Sequence, residues 1–309
     1  MASDTPTSRR LPSPRRTALA GLLAAGLLAL AAPAAGASTL SSNWAGWVAL
    51  PAASSHASFN SVSGSWQVPA LSCSSGQSSY SAAWVGLGGY KQSSDALEQV
   101  GVDADCSRYG KPHYDSWYEL IPAAPVGIPI AVHAGDQMTG SVTVRGTHVT
   151  LRLRNLSTGA RYSTTRHASQ IDLGSADWIL EAPSSCSAGG CQTLPLADFG
   201  GVSFTSATAT SASHTGPVED ARWSATQIEL RQGARPGTAR SANGHVLPAN
   251  EVTATASAAS GPLGTFSVDW SEHQSHSEGP RTRNFGETVP FGEGSYPGSE
   301  LVAAPELRA

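Results

Sequence analysis

From Trp44 to Trp270 the chain is broken into short runs rich in Trp, Val, Ile, Tyr, Phe and Thr, each stopped by Gly, Pro or a polar turn. Such runs suit pleated, half-buried strands, and no stretch keeps a helical period long enough to argue for a helix. The fold class is therefore all-β. The clearest strand is Ser175-Ala-Asp-Trp-Ile-Leu-Glu-Ala-Pro183. Side chains alternate faces along a strand, so Asp177, Ile179 and Glu181 share one face and Trp178 and Leu180 the other. Taken alone, a carboxylate at the end of an apolar run reads as a solvated strand edge, with a cleft as the second reading.

The 309 residues leave room for one large β domain or two smaller ones. Charged residues are 14% of the chain, well under the usual ~25%. Lysine is limited to Lys91 and Lys111, and no basic stripe or patch is visible, which argues against a nucleic-acid partner. Residues 1–37 carry four Arg and one Asp, so the formal charge of −4 becomes −7 without them. An acidic, lysine-poor chain gains little net charge as its carboxylates protonate, which suits acid surroundings.

Residues 9–16 are Arg-rich, residues 17–32 are apolar, and Ala35-Gly36-Ala37 is a small-x-small site. Together they read as a secretory signal peptide cleaved near Ala37. Paired arginines also allow the twin-arginine route. The apolar run falls short of the ~20 residues of a spanning helix and no second one follows, which argues against a membrane protein. The expected layout is a signal peptide over 1–37, one domain over 38–270 and a flexible tail over 271–309. Cys73, Cys106, Cys186 and Cys191 all follow the signal. An even count in an exported chain favours disulfides, and three connectivities remain open. Cys186 and Cys191 are placed to close a short loop, which would leave Cys73 with Cys106. No Cys-x-x-Cys and no His at ligand spacing argue for a metal.

Two further strands carry chemistry. In Leu97–Asp103, Leu97, Gln99 and Gly101 share a face, and the glycine leaves space beside Gln99. In His113–Pro122, Asp115, Trp117 and Glu119 share a face. Two acids around a tryptophan suit a cleft that binds a polymer or handles protons, and a solvated sheet face is an equal reading. Other strand-like runs are Ile128–His133, Ser141–Val144, His148–Asn155, Ala197–Phe204, Thr226–Leu230 and residues 263–270. The chain has no Gly-x-Ser-x-Gly and no His-Glu-x-x-His.

Ser42-Asn43-Trp44-Ala-Gly46, Trp84-Val-Gly-Leu, Leu97-Glu-Gln99-Val-Gly101-Val-Asp103, Tyr114-Asp115-Ser-Trp117-Tyr-Glu119, Ala176-Asp-Trp178-Ile-Leu-Glu181 and Ala197-Asp-Phe-Gly together resemble, in order and rough spacing, the glutamic peptidases (eqolisins). The resemblance covers about residues 40–270. It implies a concanavalin-like β-sandwich of two antiparallel sheets with a concave substrate cleft. It implies a secreted endopeptidase that works in acid without metal or cofactor. The catalytic pair would be Gln99 and Glu181, with Trp44, Trp84, Asp115, Trp117 and Glu119 lining the substrate cleft. A monomer acting on polypeptides is expected. Gly88 departs from the pattern, since fungal members have an acid there.

The chemistry stands on the residues as well. A Glu181 carboxylate near its ordinary value of about 4.3 takes a proton from water even in mild acid. The Gln99 amide offers N–H donors to an oxyanion and a C=O to orient the water. The rivals are a glycosidase using Glu119 and Glu181 as its two carboxylates, and a non-catalytic sandwich binding protein or carbohydrate through its tryptophans. Gln99 has no role in either.

Overall fold

The strand Ala176–Glu181 is not an edge: it is hydrogen-bonded on both sides, to Trp44–Pro51 and to Ala82–Gly88. Side chains with this much Trp, Ile and Leu pack against neighbours on either side, which overrides the solvated-edge reading. The computed structural model describes Met1 and residues 38–52, 58–91, 93–187, 190–233 and 250–274. The expected signal peptide, most of the expected tail and residues 234–248 of the loose loop lie outside the described residues.

Eighteen strands are formed, with no helix among the described residues. In chain order they are β1 (Thr39–Ser41), β2 (Trp44–Pro51), β3 (Phe59–Gln67), β4 (Ala82–Gly88), β5 (Leu97–Cys106) and β6 (Pro112–Ile121). Then come β7 (Val126–Gly127), β8 (Gln137–Arg145), β9 (His148–Asn155), β10 (Arg161–His167), β11 (Ala176–Glu181) and β12 (Ser184–Ser187). The last six are β13 (Gly190–Thr193), β14 (Gly201–Ser211), β15 (His214–Pro217), β16 (Trp223–Gly233), β17 (Asn250–Ala256) and β18 (Phe266–Gln274).

The expected pair of sheets is one continuous hydrogen-bonded path, β10-β9-β8-β3-β14-β18-β17-β16-β2-β11-β4-β5-β6-β7. The pairing is antiparallel except for β1, which runs parallel to β16, and β12 and β13 form a separate ribbon. The path folds over on itself, so β4 and β11 pack across β3 and β8. Gly64 on β3 lies under the Trp178 ring, Gly140 on β8 lies under Val85, and Trp178 Nε1 donates to Ser63 O at 2.8 Å. Between the layers lies the main core, which includes Trp66, Val85, Val100, Leu151, Trp178, Leu180 and Phe204. The opposite face of β2, β11, β4, β5 and β6 is also buried, around Trp44, Trp84, Leu97, Trp117, Ile121 and Ile179. Trp44, Trp84 and Trp117 leave little of this face to solvent.

Gly46 fixes the packing of β2 on β11. Its φ is +139°, and a Cβ there would lie 2.1 Å from Trp178 O. Both the strain and the clash are on central-strand backbone, which has no room to shift. Gly46→Ala is expected to cost about 3 kcal/mol or more. Thermal unfolding should show a midpoint lowered by roughly 10 °C, and an unchanged midpoint would remove this account.

The structure departs from the expectations in several places. Ile128–His133 is not a strand, because Pro129 cannot donate to a ladder. Its alternating Ile128, Ile130 and Val132 are nonetheless buried, and Ser116 Oγ bridges the carbonyls of Ile128 and Ile130. A basic face does exist: the register of β8, β9 and β10 gathers arginines that are scattered in the sequence. Of the three open disulfide connectivities, the structure has Cys73–Cys106 and Cys186–Cys191. The last strand reaches Gln274, past the expected domain end.

Candidate active site

The register places the site. Glu181 closes β11 opposite Trp44 on β2 and Ala82 on β4. On β5, Asp103 lies opposite Ala82, and Gln99 lies opposite Gly86, the residue with no side chain to cover it. On β6, Glu119 is the direct partner of Gln99, and Trp117 that of Gly101. One sheet face therefore collects Trp44, Trp84, Gln99, Asp103, Trp117, Glu119 and Glu181.

Glu181 is 3% exposed and receives two neutral donors. Trp84 Nε1 donates to Oε2 at 2.8 Å and Asn43 Nδ2 to Oε1 at 3.3 Å. Asn43 is itself oriented by Ser41 Oγ, which donates to Asn43 Oδ1 at 3.1 Å. The Trp84 ring is held edge-on to Trp44, with centroids 4.9 Å apart. Burial pushes the Glu181 carboxyl up to about 8, against the pull of Trp84 and with the Glu119 charge adding to the rise. The expectation of a carboxyl near its ordinary value does not hold in this closed site, because desolvation outweighs the donors.

Gln99 Nε2 donates to Glu119 Oε2 at 2.7 Å, which fixes the amide. Gln99 Oε1 is buried with no hydrogen-bond partner, so an acceptor waits in the site for an N–H or O–H donor. Burial raises Glu119 to about 7, with the Gln99 bond opposing. Trp117 Nε1 donates to Asp103 Oδ1 at 2.6 Å, and burial holds Asp103 well above the usual carboxylate range. No cation takes part in these contacts. Every donor to these carboxyls is an amide or indole N–H, whose donating capacity does not change with pH.

Ala82, Asp103, Trp117, Glu119, Pro125, Glu181 and Pro183 enclose a space of about 10 Å³. That is about the room one water molecule requires. Glu119 thus links Gln99 to the cavity that Glu181 walls.

Of the expected site residues, Trp44, Trp84, Gln99, Trp117, Glu119 and Glu181 come together. Asp115 does not. It shares their face by alternation but sits at the outer end of β6, more than half exposed, in an ion pair with His113 at 2.7 Å. Asn43 and Asp103 were missed. Both lie inside motifs that carried the resemblance, and the even spacing of Gln99, Gly101 and Asp103 already puts Asp103 on the Gln99 face.

At the far end of β4, Gly88 has φ +83°, and a Cβ there would lie 2.5 Å from Asp172 Cβ. The Asp172 side chain occupies the space that a side chain at 88 would need. It accepts from Gly89 N at 3.1 Å and from Ser94 Oγ at 2.5 Å. A larger open hollow of about 400 Å³ borders this end, lined by Lys91, Asp95, Gln170 and Asp172 among others.

Comparison with known proteins gives the same picture. The model of the peptidase A4 family matches residues 42–250. Scytalidopepsin B of Scytalidium lignicola is 32% identical over 192 residues, 60% of this chain and 69% of that protein. Aspergillopepsin-2 of Aspergillus niger is 33% identical over 237 residues, 66% of this chain and 75% of that protein. The crystal structure of scytalido-glutamic peptidase with a transition state analog inhibitor is similar with a TM-score of 0.56 and 27% identity, covering 74% of this chain and 98% of that one. An all-β fold, a buried Glu walling a water-sized cavity, a Gln fixed by a second Glu and these matches agree: this chain belongs to the peptidase A4 family, the glutamic peptidases or eqolisins, which hydrolyse peptide bonds.

Proposed function

We propose that the protein is a secreted endopeptidase active in acid, with Glu181 as general base and acid and Gln99 as oxyanion stabiliser. The observation that carries this reading is the buried, partnerless Gln99 Oε1, beside an amide that Glu119 holds in one orientation. In the resting site burial keeps Glu181 protonated in acid. A water entering with the peptide restores hydration, and the Trp84 and Asn43 donors then favour the carboxylate. Gln99 Oε1 accepts one hydrogen of that water, and Glu181 takes the proton as the oxygen attacks the scissile carbonyl. The remaining N–H of the Gln99 amide donates to the oxyanion. Glu181 returns its proton to the leaving amine, which restores the carboxylate. Trp44, Trp84 and Trp117 offer apolar walls to the flanking peptide.

The test is digestion of a denatured protein substrate from acid to neutral pH, beside uncharged and acidic glycans. Cleavage of protein in acid, no release of sugar, and a kcat lowered about 10²-fold or more in Gln99→Ala are expected. Sugar release would move the assignment to a glycosidase, and full activity in Gln99→Ala would remove Gln99 from the chemistry. Trp84→Phe keeps most of the ring and deletes the donor to Oε2. The ionised Glu181 loses support, so the acid limb of the kcat/KM profile should move to higher pH by about one unit. An unmoved limb would mean that Trp84 only packs.

A further inference from the structure

Residues 137–167, which form β8, β9 and β10, contain five Arg, two His and no Asp or Glu. The described residues hold ten Lys and Arg in all, so half of them sit on three adjacent strands of a chain whose net charge is negative. Register puts four of the five on one outward face. Arg145 begins one end beside His148, and His148 is in turn the direct partner of His167. Arg154 ends the other side, directly opposite Arg161. Arg152 lies between, flanked by Ser141 and Ser163. The remaining places on the face, apart from Gln137 at one end, are hydroxyls, such as the row Thr143, Thr150 and Thr165, in which Thr150 and Thr165 share a hydrogen bond of 2.9 Å.

Like charges placed directly across a strand pair destabilise a sheet. Arg154 and Arg161 are such a pair. Arg145, Arg152, Arg154 and Arg161 are exposed and make no ion pair with any described residue. Asp136 lies in the turn before β8, where its carboxylate already accepts from Asn155 Nδ2 and His133 N. The face therefore concentrates unneutralised positive charge where packing gives no reason for it. Strand rise and spacing make it about 20 Å long and ~10 Å wide.

We propose that the outer face of β8–β10 docks the protein on an extended carboxylate-bearing polysaccharide. Guanidinium forks hold carboxylates bidentately, and rows of Ser and Thr hydroxyls suit the sugar hydroxyls between them. The chemistry of the face selects this occupant. A single-stranded nucleic acid needs aromatic platforms, and the face has no Phe, Tyr or Trp. A membrane surface needs apolar side chains to insert, and it has none. The face belongs to the layer that does not carry Glu181, so docking leaves the cleavage site free. The proposal does not depend on the peptidase mechanism.

The experiment is retention of the purified protein on immobilised polygalacturonate at low salt and about pH 6, where the uronate carboxylates are ionised. Arg152→Ser/Arg154→Ser is run in parallel, with uncharged galactan, single-stranded DNA and phosphatidylserine vesicles as the other surfaces. Salt-sensitive retention on polygalacturonate only is expected. The double variant should bind at least about tenfold more weakly, with a thermal midpoint no lower than the parent's, since it relieves the Arg154–Arg161 repulsion, and with its cleavage of soluble denatured protein unchanged. No retention of the parent protein, or equal retention of the variant, overturns the proposal. Equal or tighter binding to DNA or vesicles that the same variant loses also overturns it, since the face would then recognise charge alone.

Discussion

Glu181→Gln is expected to lower kcat by about 10³-fold or more while leaving the fold intact. The substitution keeps shape and volume, and an amide oxygen still accepts from Trp84 Nε1. What disappears is the group that takes a proton from water and passes it on. A second readout separates chemistry from structure. The carboxyl is held at about 8 by burial, so ionising it in the closed site is costly. The amide never ionises, so Glu181→Gln should be more stable than the parent at neutral pH and no more stable in acid. A variant that is inactive and also unstable in acid would show only a packing defect. A variant that keeps a tenth of the parent activity would remove Glu181 from the role of base.

The second large effect is loss of stability as pH rises from acid to neutral. Burial raises Glu98 and Glu181 to about 8 and Glu119 and Asp105 to about 7, and it holds Asp103 and Asp177 well above the usual range. Each of these carboxyls has a folded value above its unfolded one. The stability that each contributes is thus fully present below about pH 4 and is lost as pH climbs through the folded value. For Glu98, the move from 4.5 to about 8 corresponds to about 5 kcal/mol, comparable with the whole stability of many domains. Burial is the main cause, and the backbone N–H groups of Asp172 and Glu98 offset it only in part. Asp220 runs the other way, held low by the Arg222 backbone N–H and by His214 despite some burial, and its contribution is lost only in strong acid. Circular dichroism melts at about pH 4 and about pH 8 should differ in midpoint by more than roughly 15 °C, the lower value at the higher pH. Glu98→Gln should flatten part of this slope. A midpoint that does not fall across this range would sink the argument.

How much of this was legible before the structure depends on what carried the signal. The alternation in Ala176–Glu181 correctly put Trp178 and Leu180 on one face, which proves to be the core face, and Glu181 on the other, because strand geometry is local. The strand's central position was not legible, since it depends on two partners from distant segments. Asp115, Trp117 and Glu119 share a face as their spacing required, but spacing does not show how far along a strand the face stays covered, and Asp115, paired with Asp103, lies toward the exposed end. Asn43 reaches Glu181 across 138 residues of sequence, a contact that only pairing of β2 with β11 creates. The basic face is the reverse case. Its sequence sign is not a run of arginines but a stretch with no acid at all, and a search for positive clusters passes over it.

Gly88 and Asp172 have a bearing on how this protein is to be compared with its relatives and altered. The family pattern expected a carboxyl borne by the strand itself at the position of Gly88. Here the space beside that position is filled by a carboxyl borne by a loop, tied to a second loop through Ser94 and Gly89. Position-by-position grafting therefore fails at this corner. Introducing Asp at 88 alone sets two side chains in one volume, on a backbone angle that favours glycine. Exchanging both positions together is the smallest edit that conserves the charge, and it would release the two loops from one another. The carboxyl at this corner thus belongs to a contact between loops, and an edit to the strand alone does not reach it.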